Sequence, residues 1–241
     1  MADEWVGVIL AAGRGSRLAP LTDRTPKPLV EVGGRPCLDW AIAALAPAVD
    51  RILVVTGHLG GQVRAWIGGR TFPVPVETVA NPAPERGNLT SLAAAREAIG
   101  AGGFVLTNAD HLFPADFYTA YFPAGEGVRI AAQRARPILE DEMKIRIGEA
   151  DSLRAISKRL ADFDGAYIGA TRVSPDAAGR YWAAFDRVAR QADPATACVE
   201  DVLEALAASG PPPVAVWCDA VRWHEVDTPE DLARAREALG P

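Results

Sequence analysis

At 241 residues, 49% apolar and 23% charged, the chain is one large domain able to bury a sizeable core. Its net charge is −6, from 25 basic and 31 acidic side chains with no basic block, which argues against a non-specific nucleic-acid surface. No apolar run approaches the ~20 residues of a membrane-spanning helix, and the acidic start Met1-Ala-Asp-Glu-Trp5 lacks a secretion signal's basic region, so a cytoplasmic protein without membrane insertion is expected.

Strand and helix signals then alternate along the chain. Val6 to Leu10 is a nearly continuous apolar strand, and it runs into the glycine turn Gly13-Arg-Gly15. Pro36 to Leu45 reads as a helix, Arg51 to Thr56 as a strand, Leu59 to Ile67 as a helix and Val74 to Val79 as a strand. Asn88 to Ile99 is a helix with Asn88 as its expected cap. Strands follow at Phe104 to Thr107 and Val128 to Ala132, then a hairpin of Met143 to Ile147 with Leu153 to Ile156. Tyr167 to Val173 is another strand, Tyr181 to Gln191 and Cys198 to Ala208 are helices, Val214 to Cys218 is a late strand and Pro229 to Leu239 a terminal helix. Such alternation predicts one doubly wound α/β domain over residues 1–241 with a mostly parallel sheet. Cys37, Cys198 and Cys218 are far apart and odd in number; they predict reduced thiols and no structural zinc.

The opening motif carries the chemistry. Ala11 and Ala12 are small enough for a flat base to approach the backbone. Gly13 and Gly15 permit positive φ, so successive amides can point into one anion-binding concavity, and a following helix would add its positive end. Arg17 can fork onto two phosphate oxygens, and Lys27 is stiffened between Pro26 and Pro28. A P-loop is excluded because no lysine follows the glycines, and a dinucleotide fingerprint because Leu18 stands where its third glycine would be. Only three of the 25 basic residues are lysines, Lys27, Lys144 and Lys158, which marks the latter two as positions where a compact ammonium is needed.

Leu10-Ala-Ala-Gly-Arg-Gly-Ser-Arg-Leu18 with Pro26-Lys-Pro-Leu29 resembles the signature of the nucleotidyltransferases that activate sugar phosphates and alcohol phosphates. Val30 to Pro36, Leu106-Thr-Asn-Ala-Asp110 and Trp223-His-Glu-Val-Asp-Thr-Pro-Glu-Asp-Leu232 extend the resemblance, in the family's order, along nearly the whole chain. It implies a Rossmann-like nucleotidyltransferase fold with a small acceptor-binding lobe at about 133–212. It also implies a nucleotide site of Leu10, Ala11, Ala12, Gly13, Arg14, Gly15, Ser16 and Arg17, closed by a loop carrying Gly87, Asn88 and Ser91. Asp110 and Asp227 are implied as Mg²⁺ ligands, and Arg17, Lys27 and Lys158 as catalytic. Lys144, Lys158, Asp164, Tyr167 and Glu200 are implied at the acceptor.

The loop at Gly87 looks closer to cytidylyltransferases for phosphocholine, inositol phosphate or aminoethylphosphonate than to hexose-phosphate enzymes. The expected reaction is Mg²⁺-dependent transfer of CMP from CTP to a phosphorylated alcohol or phosphonate, with release of pyrophosphate. The partners are then a nucleoside triphosphate and a small acceptor, with a homodimer admitted but not required. The alternatives are a sugar-1-phosphate uridylyl-, thymidylyl- or guanylyltransferase, and a non-catalytic nucleotide sensor. A molybdenum-cofactor nucleotidyltransferase shares the opening motif but fits the Lys158 region poorly.

Overall fold

A computed structural model describes residues 4–240. Nine strands form one sheet: β1 (Trp5–Ala11), β2 (Arg51–Thr56), β3 (Val76–Ala80), β4 (Gly103–Asn108), β5 (Val128–Gln133), β6 (Lys144–Ile147), β7 (Leu153–Ser157), β8 (Gly165–Val173) and β9 (Val214–Trp217). The parallel core runs β3–β2–β1–β4. β8 lies antiparallel to β4 on one edge and to β5 on the other, and its first residues pair with β6. β9 runs parallel to β5, and β7 antiparallel to β6. Seven of the nine strands therefore point the same way, with β7 and β8 reversed, so the sheet is mostly parallel as expected.

Helices cover both faces. On one side α3 (Leu89–Ile99), α4 (Pro175–Gln191) and α5 (Val199–Ala207) pack on Val6, Val8, Leu10, Phe104 and Ile130. On the other, α1 (Cys37–Leu45), α2 (Gly60–Gly68) and the aromatic turn at Phe117–Tyr121 pack on Ile9, Ala11, Val105 and Ala131. Alternate residues of β1 thus enter opposite cores, which is why its sequence is apolar throughout. A third, smaller core of Leu18, Val30, Cys37, Val226 and Leu232 lies under α6 (Pro229–Leu239). Thr228 and Asp231 cap α6 reciprocally, the Thr228 hydroxyl accepting from the Asp231 amide at 3.2 Å. No helix among the described residues is long and apolar enough to cross a membrane.

Three local expectations need correction. Only Gly15 takes positive φ (65°); Gly13 does not. The glycine turn opens into short 3₁₀ turns at Ser16–Leu18, Leu21–Asp23 and Lys27–Leu29 rather than an α-helix. Pro20, Pro26 and Pro28 withhold the amides that a longer helix would need. Asn88 stands at the cap position of α3, but its side chain makes no capping bond: its oxygen accepts instead from the amide of Val199, the first residue of α5, at 2.9 Å. In the segment 133–212, β8 is an interior strand of the main sheet, while the β6–β7 hairpin extends the sheet beyond β8.

Candidate active site

The cleft lies at the carboxyl ends of β1 and β4, where an open parallel sheet presents its crevice. Gly15 fixes the signature turn. Its carbonyl accepts from the Leu18 amide (2.9 Å) and the Thr22 hydroxyl (2.8 Å), and an added Cβ would meet Lys27 Cβ at 3.0 Å. His58 braces the turn from outside, its amide on the Ala12 carbonyl (2.9 Å) and its ring on the Thr22 carbonyl (3.0 Å), so it is not free for a base.

Backbone bonds bring the distant motifs together. The Ala109 amide donates to the Leu10 carbonyl (3.1 Å) and the Val226 amide to the Asp110 carbonyl (3.0 Å). Asp110 and Asp227 consequently face one another across Lys27. Its ammonium donates to Asp110 Oδ2 at 2.5 Å and to Asp227 Oδ1 at 2.7 Å. Arg17 forms an ion pair with the other Asp227 oxygen. Burial disfavours charge on both Lys27 and Asp110, but attraction overrides it. The ammonium is held above the usual lysine range by the two aspartates, and the Asp110 carboxyl below the usual carboxylate range by Lys27 and His111.

Sequence reasoning missed His111. Its ring is buried, with Nδ1 2.7 Å from Asp110 Oδ1, and it stacks on Trp223 at 5.2 Å. Burial lowers its pKa and the bond to Asp110 more than restores it, for a net rise. His111–Leu112 pairs with His224–Glu225, so Asp110, His111 and Glu225 place ligand atoms within 4.8 Å of one another. The only signal in the sequence was adjacency to Asp110.

The cleft has a volume of about 340 Å³, with Leu10, Ala11 and Ala12 among its lining residues. Gly13, Gly15, Ser16, Arg17, Lys27, Asn88, Ser91, Asp110 and Asp227 line it too, joined by Arg86, Asn108 and Glu225, which were not expected. Arg14 is not in the lining; its guanidinium lies 3.9 Å from Asp23 at the exposed surface. Gly87 is absent from the lining as well, because it is packed on the turn before α5, where an added Cβ would stand 1.9 Å from the Ala197 carbonyl oxygen. The Gly87 amide bonds Pro194 (3.1 Å) and the Leu89 amide bonds Ala197 (3.3 Å), which fastens this loop to the start of α5. Gly87→Ala is expected to part the two segments and lower Tm, which thermal unfolding checks.

The residues implied at the acceptor do not converge on the cleft. Lys144 is buried, its ammonium donating to the Glu140 (2.6 Å) and Lys158 (2.9 Å) carbonyls, so it ties two loops together. Lys158 is exposed on the turn after β7. Asp164 accepts from the Ile147 amide at 2.8 Å. The buried Tyr167 hydroxyl bonds Thr171 at 2.9 Å, and burial pushes its pKa well up. Burial likewise raises the Glu200 carboxyl. A second cavity of about 540 Å³ shares Glu225 and Asp227 with the first, and Gln133, Arg136, Asp141 and Trp223 are in its wall.

Two aspartate oxygens that meet one ammonium can also meet one divalent cation. Hard carboxylate oxygens beside a phosphate-sized cleft are a donor set that suits Mg²⁺.

Comparison with known proteins agrees with this geometry. The MobA-like NTP transferase domain family matches residues 7–138. The bifunctional IPC transferase and DIPP synthase of Archaeoglobus fulgidus is 30% identical over 233 residues, 96% of this chain and 43% of that protein. The 2-aminoethylphosphonate cytidylyltransferase of Lancefieldella rimae is 36% identical over 129 residues, 50% of this chain and 52% of that one. The chain spans about half the length of these curated relatives. The inositol-1-phosphate CTP transferase from T. maritima shares the fold, with a TM-score of 0.78, 21% identity and 98% of each chain covered.

Proposed function

The chain belongs to the MobA-like NTP transferase domain family, and from that premise we propose that its cleft transfers a cytidylyl group from CTP to a small phosphorylated alcohol or a phosphonate. The observation that carries the reading is the meeting of Lys27, Asp110 and Asp227 beside the Gly15 turn.

In the proposed reaction an acceptor oxygen attacks the α-phosphorus. The new O–P bond forms as the bond to the β-phosphate oxygen breaks, and pyrophosphate leaves with the electron pair. The acceptor oxygen is already ionised at neutral pH, so no side chain need remove a proton. Catalysis rests on positioning and charge neutralisation. Amides of the Gly13–Ser16 turn and the Arg17 fork hold the β- and γ-phosphates. Lys27 exchanges an aspartate oxygen for an α-phosphoryl oxygen. Asp110 and Asp227 hold Mg²⁺, which when bound polarises the phosphoryl centre and orients the leaving group. His111 fixes one Asp110 oxygen and so aims the other into the cleft. Leu10 to Ala12 receive the base.

The acceptor enters from the second cavity, which shares Glu225 and Asp227 with the first. Lys158 swings in from its exposed turn to the acceptor phosphate. Lys158→Ala then raises the acceptor KM about tenfold with little change in the CTP KM; the reverse pattern places Lys158 on the nucleotide.

The preference for CTP and for a non-sugar acceptor rests on the named activity of the Lancefieldella rimae relative and on the Gly87 loop. The competing reading keeps the chemistry but pairs UTP, dTTP or GTP with a sugar 1-phosphate. Pyrophosphate release decides between them. CTP, UTP, dTTP, GTP and ATP are each tested with Mg²⁺ against phosphocholine, aminoethylphosphonate, inositol 1-phosphate, glycerol 3-phosphate and hexose 1-phosphates. Turnover with CTP and a non-sugar acceptor is expected; turnover confined to UTP or dTTP with a hexose phosphate installs the competitor.

A further inference from the structure

At the end of the sheet away from the cleft, Arg172 of β8 stands directly opposite Arg129 of β5 and, on its other edge, Val105 of β4. Opposed residues of antiparallel strands share a face. Both side chains therefore leave the sheet on the face that carries Ala131, Ile168, Ala170, Phe117 and Tyr118, Arg172 buried and Arg129 half-buried. Arg172 is 2% exposed. Its Nη2 donates to the Tyr118 carbonyl at 3.2 Å, its guanidinium lies 5.2 Å from the Trp5 ring centre, and its Nε is buried without a partner. Arg129 donates only to carbonyls, those of Pro123 (3.2 Å) and Ala124 (3.3 Å). Among the described residues no carboxylate forms an ion pair with either.

Two further buried atoms lack partners on this face, the Tyr118 hydroxyl and the Thr107 hydroxyl. Thr107 is opposite Ala170 in the same ladder, two residues from the position that faces Arg172. Tyr118 lies close to both Thr107 and Arg172.

A buried, unpaired guanidinium is costly, and a like charge directly opposite adds to the cost. Burial pushes Arg172 down to about 10, and Arg129 adds to that depression. The guanidinium can only donate, and each hydroxyl has a proton to give. A buried guanidinium beside two hydroxyls with protons to give, and no carboxylate paired with it among the described residues, matches an anion and repels a cation.

We infer that one small monovalent anion of chloride size binds between Arg129 and Arg172, held by the Arg172 Nε–H and the Tyr118 and Thr107 hydroxyls. It offsets one of the two positive charges and locks β8 to β5 and to the Phe117–Tyr121 turn. The inference is independent of the reaction assigned to the cleft.

The test is thermal unfolding of the full chain as sodium chloride replaces sodium gluconate at constant total salt. Saturable stabilisation by about 3 °C is expected in the wild type and is absent in Arg172→Met. A bromide-soaked crystal should show an anomalous peak beside the Arg172 guanidinium, a readout that needs no variant. A Tm indifferent to the anion, a chloride response that survives in Arg172→Met, or no bromide peak overturns the inference.

Discussion

Asp110→Asn and Asp227→Asn each lower kcat about 1000-fold or more, equivalent to roughly 4 kcal/mol of transition-state stabilisation. Both carboxylates touch the same ammonium and stand in the cleft wall, so each neutral amide removes a full charge from the place where the proposed reaction releases pyrophosphate. The shape is kept, which separates this loss from unfolding. Asparagine at 110 still accepts from His111 through its side-chain oxygen, and the Ala109 and Val226 backbone bonds are untouched. Steady-state kinetics with circular dichroism checks the pair. Full activity in either variant removes that residue from the proposed cation site.

Lys27→Met is expected to lose a similar factor in kcat and, unlike the aspartate variants, to acquire metal-dependent stability. Without the ammonium, two carboxylates whose side chains are only 19% and 15% exposed face each other, with only Arg17 on Asp227 and His111 on Asp110 left to offset their repulsion. Breaking a fully buried pair costs about 3–5 kcal/mol. Contact with water reduces that here to roughly 2 kcal/mol, or about 6 °C in Tm for a chain of this size. A divalent cation supplies the missing charge. Tm measured in EDTA should therefore fall below wild type, and millimolar Mg²⁺ should recover more of it in the variant than Mg²⁺ adds to the wild type. Equal Mg²⁺ responses in the two proteins would show that the aspartates do not share a cation.

The strand that becomes β1, the signature turn, Lys27 and both aspartates were legible in the sequence. The first three are local patterns, an apolar run, a glycine turn and a lysine between prolines, and the aspartates were implied by the family resemblance. The fold was legible for the same reason, since Arg51–Thr56 and Pro229–Leu239 begin and end where periodicity and proline placed them. What was not legible depends on contacts distant in sequence. Nothing in Asp141-Glu-Met-Lys144 says that its lysine will tie carbonyls at Glu140 and Lys158. Nor does the strand pattern reveal that Tyr167 turns inward to Thr171. His111 became part of the site only because Glu225, far along the chain, pairs with it. The helix expected after Gly15 failed on a local conflict, in which three closely spaced prolines outweighed the usual sequel of a glycine turn.

The central claim is that this cleft directs attack at the α-phosphorus of a nucleoside triphosphate. Phosphorus NMR of CTP with Mg²⁺, enzyme and the pooled non-sugar acceptors tests it most directly. Resonances of pyrophosphate and of a new anhydride between the CMP and acceptor phosphorus atoms should grow together at equal rates, and neither should grow with Asp110→Asn. Release of orthophosphate without a new anhydride, or an Asp110→Asn enzyme as fast as wild type, would contradict the account.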